Sequence, residues 1–333
     1  MMKDETMIFS EEFCLKYGLG KPVAVPEPVT GGLMHKMYHV RTDKGEYAVK
    51  LLNPDIMKRP EAMLNMVNSE LISNALAGVI PVVTAKSFDG KNIVEFNGGF
   101  YVVFDWLEGK SVFVPDISKH HCERIGRILG KIHAANIRVA SVELSSDTHD
   151  AYNWKELTEK AMEVNSAVYP VLQENLADIM SWDNNAVQGL RELCNEQVIS
   201  HRDLDPKNVL WKEDEPFVID WEAAGYVNPY QELTEVLNYW IQDEAGDYDK
   251  EKFTALMTAY TESVDIGNVN WENVLNSSFD GMLGWLNYNL KRALKIEGTG
   301  ITDQEEGISQ SIDTVSELKK YEERIAVLRE WLS

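Results

Sequence analysis

Acidic and amide side chains suited to phosphate chemistry lie close together in one stretch of the chain. Residues 201–210 read HRDLDPKNVL, and residues 217–221 read FVIDW. Transfer of a phosphoryl group requires an acceptor hydroxyl in line with the phosphate, and metal ions that neutralise charge on the phosphate oxygens. Asp203, on a tight loop, would receive or orient the acceptor proton. Asn208 and Asp220 would hold Mg²⁺, since a hard cation prefers carboxylate and amide oxygens.

The order His-x-Asp-x-x-x-x-Asn, followed about a dozen residues later by Ile-Asp-Trp, resembles the aminoglycoside phosphotransferase and choline kinase family. The resemblance implies an α+β, protein-kinase-like fold with a small antiparallel-sheet N-lobe and a large, mainly helical C-lobe. It also implies ATP or GTP as co-substrate and Mg²⁺ as the metal. In this motif we expect His201 to pack and hold the loop instead of acting as a base.

Protein kinases share the first motif but differ after it. They carry Asp-Phe-Gly and a long activation segment before the next helix, whereas here the chain runs from Asp220 directly to Pro229. Asp205 stands where protein kinases usually carry a lysine, a position for which Lys207 is only a partial substitute. Because a peptide would have little platform to bind on, the acceptor is predicted to be a small molecule.

The N-terminal part of the sequence supplies the other residues that the resemblance requires. Residues 46–52 read EYAVKLL and resemble the kinase pattern Val-Ala-Ile-Lys, so Lys50 would contact the α- and β-phosphates. Glu70 lies twenty residues later on a predicted helix, where the kinase pattern places an acid that pairs with the lysine. Glu61 is a competing but less well placed candidate.

Two further segments are predicted to contact the nucleotide. Gly31 and Gly32 fall in a turn before the second strand, where backbone N–H groups would cover the phosphates. This segment lacks Gly-Lys-Ser/Thr and is therefore not a P-loop. Residues 100–109 resemble the strand that leads into the hinge between the lobes, where the backbone groups near Asp105 and Leu107 would hydrogen-bond the purine.

The acceptor is expected to bind beside the loop that contains Asp203. In the resembling family the acceptor lies between the catalytic loop and the C-terminal helices, against acidic and aromatic residues. Asp205 and Glu222 flank the proposed catalytic groups, while Trp285 and Tyr288 lie on a late helix. Carboxylates and aromatic faces suit an ammonium group, although tryptophans spaced along a helix more often belong to a core.

Hydrophobic periodicity predicts the elements that must position these residues. A mostly antiparallel sheet is expected before the hinge, with one helix inserted, and a helical region after it, interrupted by a hairpin. The predicted strands are 38–41, 46–52, 92–96 and 100–104; the hairpin arms are 209–211 and 217–219; and the helices include 61–76, 117–135, 231–242, 248–263, 270–296 and 303–332. We therefore predict a nucleotide-binding lobe over residues 1–107 and a catalytic, substrate-binding lobe over 108–333.

Composition restricts the partners. The 32 Lys and Arg residues against 54 Asp and Glu give a net charge of −22, which disfavours nucleic acids and anionic membranes because both are polyanions. A cationic acceptor is favoured, although acidity also serves solubility alone. The three cysteines form no C-x-x-C pair, and the sequence has neither a secretory signal nor an apolar run of membrane length. We expect a cytoplasmic protein.

The motifs leave several functions open. The main prediction is an ATP- or GTP-dependent kinase of a small, cationic acceptor, similar to aminoglycoside phosphotransferases. A metabolic kinase of choline, homoserine, methylthioribose or a sugar is the first alternative. A protein kinase and a non-catalytic kinase-like binding module are less favoured, because the segment after Asp220 is short and because Lys50, Asp203, Asn208 and Asp220 are all present. Sequence does not specify the oligomeric state.

Overall fold

The computed structural model of the protein describes residues 11–29, 34–144, 148–297 and 301–332. These divide into two compact units, of which the first takes the described residues within Met1–Ile117, Arg127–Glu143 and Ile199–Gly225. The second takes those within Ser118–Gly126, Leu144–Val198 and Tyr226–Ser333. The segment that carries the catalytic motif therefore groups with the N-terminal sheet. The boundary between residues 107 and 108 stays a prediction.

An antiparallel five-stranded sheet forms the centre of the first unit, in the order β1-β2-β3-β5-β4. All four predicted strands are confirmed, with ends shifted by a residue or two, and a short first strand is added. The elements are α1 (Glu11–Lys16), β1 (Glu27–Val29), β2 (Lys36–Thr42), β3 (Gly45–Leu51), α2 (Pro54–Met57), α3 (Ala62–Leu76), β4 (Ile93–Phe96) and β5 (Gly99–Asp105). Asn97 and Gly98 join β4 to β5 with φ values of 50° and 77°, the left-handed pair typical of a tight hairpin turn.

Side-chain alternation gives each face of this sheet its own helix. Val49 and Val103 pack with Phe13 of α1 in one apolar cluster. Val102 packs with Met66 of α3 in another. Lys50 is paired with Val102 across the β3–β5 ladder, and opposite residues in a ladder share a face. Lys50 therefore lies on the face that α3 covers.

The predicted hairpin is confirmed as β7 (Val209–Lys212) and β8 (Glu215–Val218), flanked by the short strands β6 (Val198–Ser200) and β9 (Gly225–Val227). Helix α4 (Lys119–Ala135) precedes them and contains one of the divisions between the units. Backbone hydrogen bonds connect β8 to the segment after α3: Val218 N–H donates to Pro81 O at 3.1 Å, and Val83 N–H to Val218 O at 3.2 Å. These bonds fix the hairpin beside α3.

Helices dominate the described part of the second unit, as predicted. Besides the first part of α4, they are α5 (Trp154–Glu163), α6 (Tyr169–Leu193), α7 (Pro229–Trp240), α8 (Lys250–Thr261), α9 (Trp271–Ser277), α10 (Asp280–Ala293) and α11 (Ile301–Leu332). None of the helices in the described ranges has the length and apolar content needed to cross a membrane.

The single helix predicted over 270–296 is wrong, since α9 ends at Ser277 and α10 begins at Asp280. The hydroxyls of Ser277 and Ser278 donate to the carbonyl of Val274, at 2.8 and 3.0 Å. Serine side chains compete in this way with the backbone for helical carbonyls. Apolar periodicity continues through the break, so the pattern alone does not reveal it.

Gly307 of α11 provides a test of close helix packing. A Cβ added at this residue would lie 2.8 Å from Asn289 O and 2.6 Å from Ala293 N of α10. We expect Gly307→Ala to lower the free energy of unfolding by roughly 1–3 kcal/mol, because the helix backbones must separate. Gly281→Ala is the control: its Cβ would meet nothing within 4 Å. Equal stability of the two variants in urea unfolding would contradict the packing.

Candidate active site

The loop before Asp203 is held by a buried histidine. His201 is 0% exposed, and its Nδ1 accepts the Asp203 backbone N–H at 3.3 Å. A ring nitrogen that accepts a hydrogen bond carries no proton, so Nε2 carries it and donates to Ile219 O at 3.0 Å. The ring also packs edge-on against Trp221, with centroids 4.7 Å apart. The predicted packing role of His201 is confirmed.

The Asp203 side chain is oriented by residues on the same loop. Asn208 Nδ2 donates to Asp203 Oδ2 at 2.9 Å and to the Asp203 carbonyl at 2.8 Å. Lys207 Nζ lies 3.3 Å from Asp203 Oδ1. One-third of the Asp203 side chain stays accessible, so the carboxylate is fixed yet open to a reactant.

Asp205, predicted to contact the acceptor, has a local structural role. Its Oδ1 accepts the Lys207 backbone N–H at 2.8 Å and caps the 3₁₀ turn Pro206–Asn208. Its Oδ2 lies 3.8 Å from Lys207 Nζ. This capping arrangement is a common function of aspartate before a proline. A contact between Asp205 and an acceptor stays a prediction.

The hairpin brings Asn208 and Asp220 to the same end of the β7–β8 ladder. Val209 is paired with Val218, and the Ile219 N–H donates to Asn208 O at 2.9 Å. Asp220 then adopts a left-handed backbone, φ 60° and ψ 68°. A non-glycine residue in this region costs free energy and is found preferentially at functional sites. The hairpin thus places the two residues that are predicted to bind the metal, Asn208 and Asp220, close to each other.

The donor set at this end of the hairpin fits Mg²⁺. Asn208 uses its amide nitrogen for Asp203, so its amide oxygen remains as an acceptor. Among the described residues, the Asp220 carboxylate makes one hydrogen bond, from Lys50 Nζ to Oδ1. No group of three His, Cys, Asp or Glu side chains within the described ranges forms a self-sufficient metal site. Mg²⁺ typically binds one or two protein ligands together with substrate phosphates, and this set matches that pattern.

Lys50 is buried and paired with two carboxylates. It is 9% exposed, and its Nζ lies 3.1 Å from Asp220 Oδ1 and 2.5 Å from Glu222 Oε1. Burial lowers the pKa of Lys50, but the charges and hydrogen bonds of Asp220 and Glu222 outweigh it, so the pKa rises above its ordinary value. Lys50 is therefore a fixed cation beside the β7–β8 hairpin.

The predicted ion pair between Lys50 and Glu70 is wrong in this structure. Glu70 is 7% exposed and close enough to Lys50 for the charges to interact, but the contacts of Lys50 Nζ are to Asp220 and Glu222. Glu70 Oε2 has no hydrogen-bond partner among the described residues. Burial raises the pKa of Glu70 to about 7, against the opposing charge of Lys50. Helix α3 packs beside the turn Trp221–Ala223, and Glu222 of that turn contacts Lys50 Nζ.

Glu222, predicted to contact the acceptor, is engaged on both carboxylate oxygens. Its Oε1 bonds Lys50, and its Oε2 lies 3.1 Å from His35 Nε2. Burial opposes ionisation, but the His35 hydrogen bond and the Lys50 charge prevail and lower the pKa of Glu222 to about 2. Sequence reasoning missed His35, whose position just before β2 carries no catalytic motif.

The predicted hinge follows strand β5, and its contact with a purine stays a prediction. Trp106 N–H donates to Glu46 O at 2.9 Å. Asp105 is the last residue of β5, and Leu107 lies two residues beyond it. The Asp105 side chain bonds Lys86 at 2.8 Å. Gly31 and Gly32 lie outside the described residues.

The two aromatic residues predicted for the acceptor lie on α10 in the second unit. Trp285 and Tyr288 are 47% and 44% exposed, so they are not core residues. Their ring centroids are 5.6 Å apart, and the Arg292 guanidinium lies 5.6 Å from the Tyr288 ring centroid. Contact with an acceptor stays a prediction for both.

The burial of Glu70 generates a prediction for stability against pH. Because its pKa rises from 4.5 to about 7 on folding, the folded protein holds this proton more tightly than the unfolded chain. The Glu70 contribution to stability is therefore greatest below pH 4.5 and declines as the pH rises to 7. In the Glu70→Gln variant the side chain cannot ionise, so this loss of stability with rising pH is removed. We expect a stability gain at pH 8 of up to roughly 3 kcal/mol and a smaller one at pH 5.5.

Urea unfolding at both pH values measures this gain. Glu61→Gln, at an exposed acid before α3, is the matched control and should differ little from wild type at either pH. A gain for Glu70→Gln that is independent of pH would contradict the assigned pKa.

Known proteins share both the sequence pattern and the fold. The model of the phosphotransferase enzyme family matches residues 26–264. Homoserine kinase of Granulibacter bethesdensis is 23% identical over 254 residues, which cover 74% of this chain and 74% of that protein.

Solved structures match over almost the whole chain. Spectinomycin phosphotransferase APH(9)-Ia, in complex with ADP and spectinomycin, has a TM-score of 0.65 at 13% identity, covering 93% of this chain and 97% of its own. Choline kinase from Cryptosporidium parvum has a TM-score of 0.57 at 14% identity, covering 97% and 98%. The predicted protein-kinase-like α+β fold is confirmed. Because the family model spans more than half of the sequence, this chain belongs to the phosphotransferase enzyme family.

Proposed function

We propose that this phosphotransferase moves the γ-phosphate of ATP or GTP to a hydroxyl group of a small, amine-bearing acceptor. The observation that carries the proposal is the cluster formed by Lys50, Asp203, Asn208 and Asp220. Direct hydrogen bonds join Asp203 to Asn208 and Lys50 to Asp220, at 2.9 and 3.1 Å. A backbone bond of 2.9 Å between residues 219 and 208 connects the two pairs.

Asp203 is proposed as the group that receives or orients the acceptor proton. Its carboxylate is held by Asn208 and remains one-third exposed, so a hydroxyl can approach it. Lys207, 3.3 Å away, would balance negative charge near the reaction. A carboxylate held in place is what orientation of a hydroxyl requires.

Lys50, Asn208 and Asp220 are proposed to bind the nucleotide. Lys50 presents a buried cation that is suited to the α- and β-phosphates, while Asn208 and Asp220 would hold Mg²⁺. When bound, the metal supplies neutralisation of charge on the phosphate oxygens. Backbone groups of Asp105 and Leu107 are proposed to receive the purine, and Gly31 and Gly32 to cover the phosphates. The ADP in the spectinomycin phosphotransferase structure supports a nucleotide co-substrate.

An amine-bearing acceptor is supported by charge and by the relatives. Homoserine, choline and spectinomycin, which name the three relatives, each carry an amine or ammonium group together with a hydroxyl. The net charge of −22 favours acceptors with a net positive charge, such as choline and spectinomycin. The exposed rings of Trp285 and Tyr288 are suited to an ammonium group. Homoserine is the first acceptor to test, because its kinase matches by sequence.

The free cysteines support a cytoplasmic location.

A coupled nucleotide-turnover assay tests the proposed function. Wild type is supplied with Mg·ATP or Mg·GTP and with homoserine, choline, methylthioribose or an aminoglycoside in turn. We expect one acceptor to stimulate turnover and Asp203→Asn to lower kcat by about 10²–10⁴-fold. Asp214→Asn, an exposed acid in the β7–β8 turn, should behave as wild type. Unchanged turnover in Asp203→Asn would overturn the assigned role, and phosphorylation of a protein substrate instead would identify a protein kinase.

Nucleotide binding separates the roles of Asp203 and Asp220. We expect Asp203→Ala to bind Mg·ADP about as well as wild type, because its carboxylate faces the acceptor. Asp220→Ala should weaken binding by about tenfold or more, since a metal ligand and a partner of Lys50 are both lost. Calorimetric titration measures both. Equal losses in the two variants would contradict this division.

A further inference from the structure

His35 is buried between two hydrogen-bond partners. Its side chain is 5% exposed. Its Nδ1 accepts the backbone N–H of Asn53 at 3.0 Å, so this nitrogen carries no proton. The remaining nitrogen, Nε2, therefore carries the proton and donates to Glu222 Oε2 at 3.1 Å. The ring acts as a directed donor to one oxygen of the Glu222 carboxylate.

The hydrogen bond from His35 determines which way the Glu222 carboxylate faces. With Oε2 bound to His35, Oε1 points to Lys50 Nζ at 2.5 Å. The Glu222 side chain is 17% exposed and that of Lys50 11%, so water competes little with either contact. Charge-assisted hydrogen bonds in such surroundings are among the stronger ones in proteins.

Other anchors for Lys50 are weaker candidates. Glu70, on α3, makes no hydrogen bond to Lys50, and its Oε2 has no hydrogen-bond partner among the described residues. Asp220 bonds Lys50 at 3.1 Å, but in the proposed function it also holds the metal. A lysine side chain has four rotatable bonds and loses considerable entropy when fixed. A partner with no other task is therefore useful for holding it.

The geometry points to His35 as a positioning residue that holds Glu222 against Lys50, so that the lysine is preorganised for the phosphates of the nucleotide. The chain of contacts runs from Asn53 N–H through His35 and Glu222 to Lys50. This inference rests on the proposed function, in which Lys50 binds the phosphates. It assigns to Glu222 and His35 the task that the kinase pattern gives to the helix acid Glu70.

Two amide substitutions separate the two nitrogens of the ring. The side-chain amide nitrogen of glutamine reaches the position of Nε2, so His35→Gln keeps a donor for Glu222. Asparagine is shorter and places its amide near Nδ1, so His35→Asn keeps a partner for Asn53 but loses the donor to Glu222. A merely structural requirement for a polar residue would treat the two alike, whereas the proposed role distinguishes them.

Calorimetric titration with Mg·ADP provides the measurement. We expect His35→Asn and His35→Leu to weaken binding by about tenfold, the usual cost of a lost charge-assisted hydrogen bond, and His35→Gln to stay within about threefold of wild type. Glu222→Gln should weaken binding more than Glu70→Gln does. His120→Asn, at an exposed histidine on α4, is the control. Thermal unfolding identifies any variant that does not fold. If an amide variant of His35 fails to fold, the affinities of His35→Leu and Glu222→Gln for Mg·ADP are compared with wild type instead.

Each result has one meaning. Wild-type affinity in His35→Asn, equal weakening in His35→Gln and His35→Asn, or a larger loss in Glu70→Gln than in Glu222→Gln would overturn the positioning role. Failure of the proposed function looks different, because wild type itself would then bind no Mg·ADP. A rescue by glutamine that asparagine does not give would establish the role.

Discussion

A buried lysine must be paired with carboxylates, and the arrangement of the site depends on how this chain satisfies that requirement. Placing the Lys50 ammonium in a region that is only 9% exposed costs several kcal/mol unless negative charge compensates. Asp220 and Glu222, on one short turn after β8, supply that charge at 3.1 and 2.5 Å. Lys50 therefore couples the sheet to the turn after the β7–β8 hairpin. Removing both carboxylates would leave the buried cation unpaired, which constrains this part of the chain strongly.

The hairpin meets this constraint through local geometry. β7 and β8 place Asn208 and Asp220 at one end of the ladder, and the buried His201 connects the catalytic loop to Ile219. The left-handed backbone at Asp220 turns its carboxylate and the following residues toward Lys50. Such a conformation costs free energy, and the ion pair with Lys50 offsets it. Rigid placement of catalytic groups is the main contribution a protein makes to phosphoryl transfer.

Sequence patterns predicted the features that are determined by residues close together along the chain. The strands around Lys50, the hairpin around 212–215 and the spacing from Asp203 to Asn208 follow from alternation, turn residues and motif. The partners of Lys50 differ from the prediction, because Asp220 and Glu222 are about 170 residues away along the chain and only the folded structure brings them to Nζ. The helix break at Ser277 and Ser278 depends on side-chain hydrogen bonds that periodicity does not register. The proposed role of His35 depends on the backbone N–H of Asn53 and on the carboxylate of Glu222, which is far away along the chain. No pattern in the residues around His35 therefore predicts this role.

The central claim is that the cation at Lys50 serves the phosphates of a nucleotide, and binding of ADP and of adenosine to wild type and to Lys50→Met tests it most directly. Methionine is one heavy atom shorter than lysine, fills most of the same volume, and lacks both the charge and the N–H donors. The account predicts that Lys50→Met loses affinity for Mg·ADP by at least about tenfold while its affinity for adenosine, which has no phosphate, is unchanged. Equal affinity of both proteins for Mg·ADP, with the variant shown to be folded, would contradict the account and leave Lys50 as a structural cation.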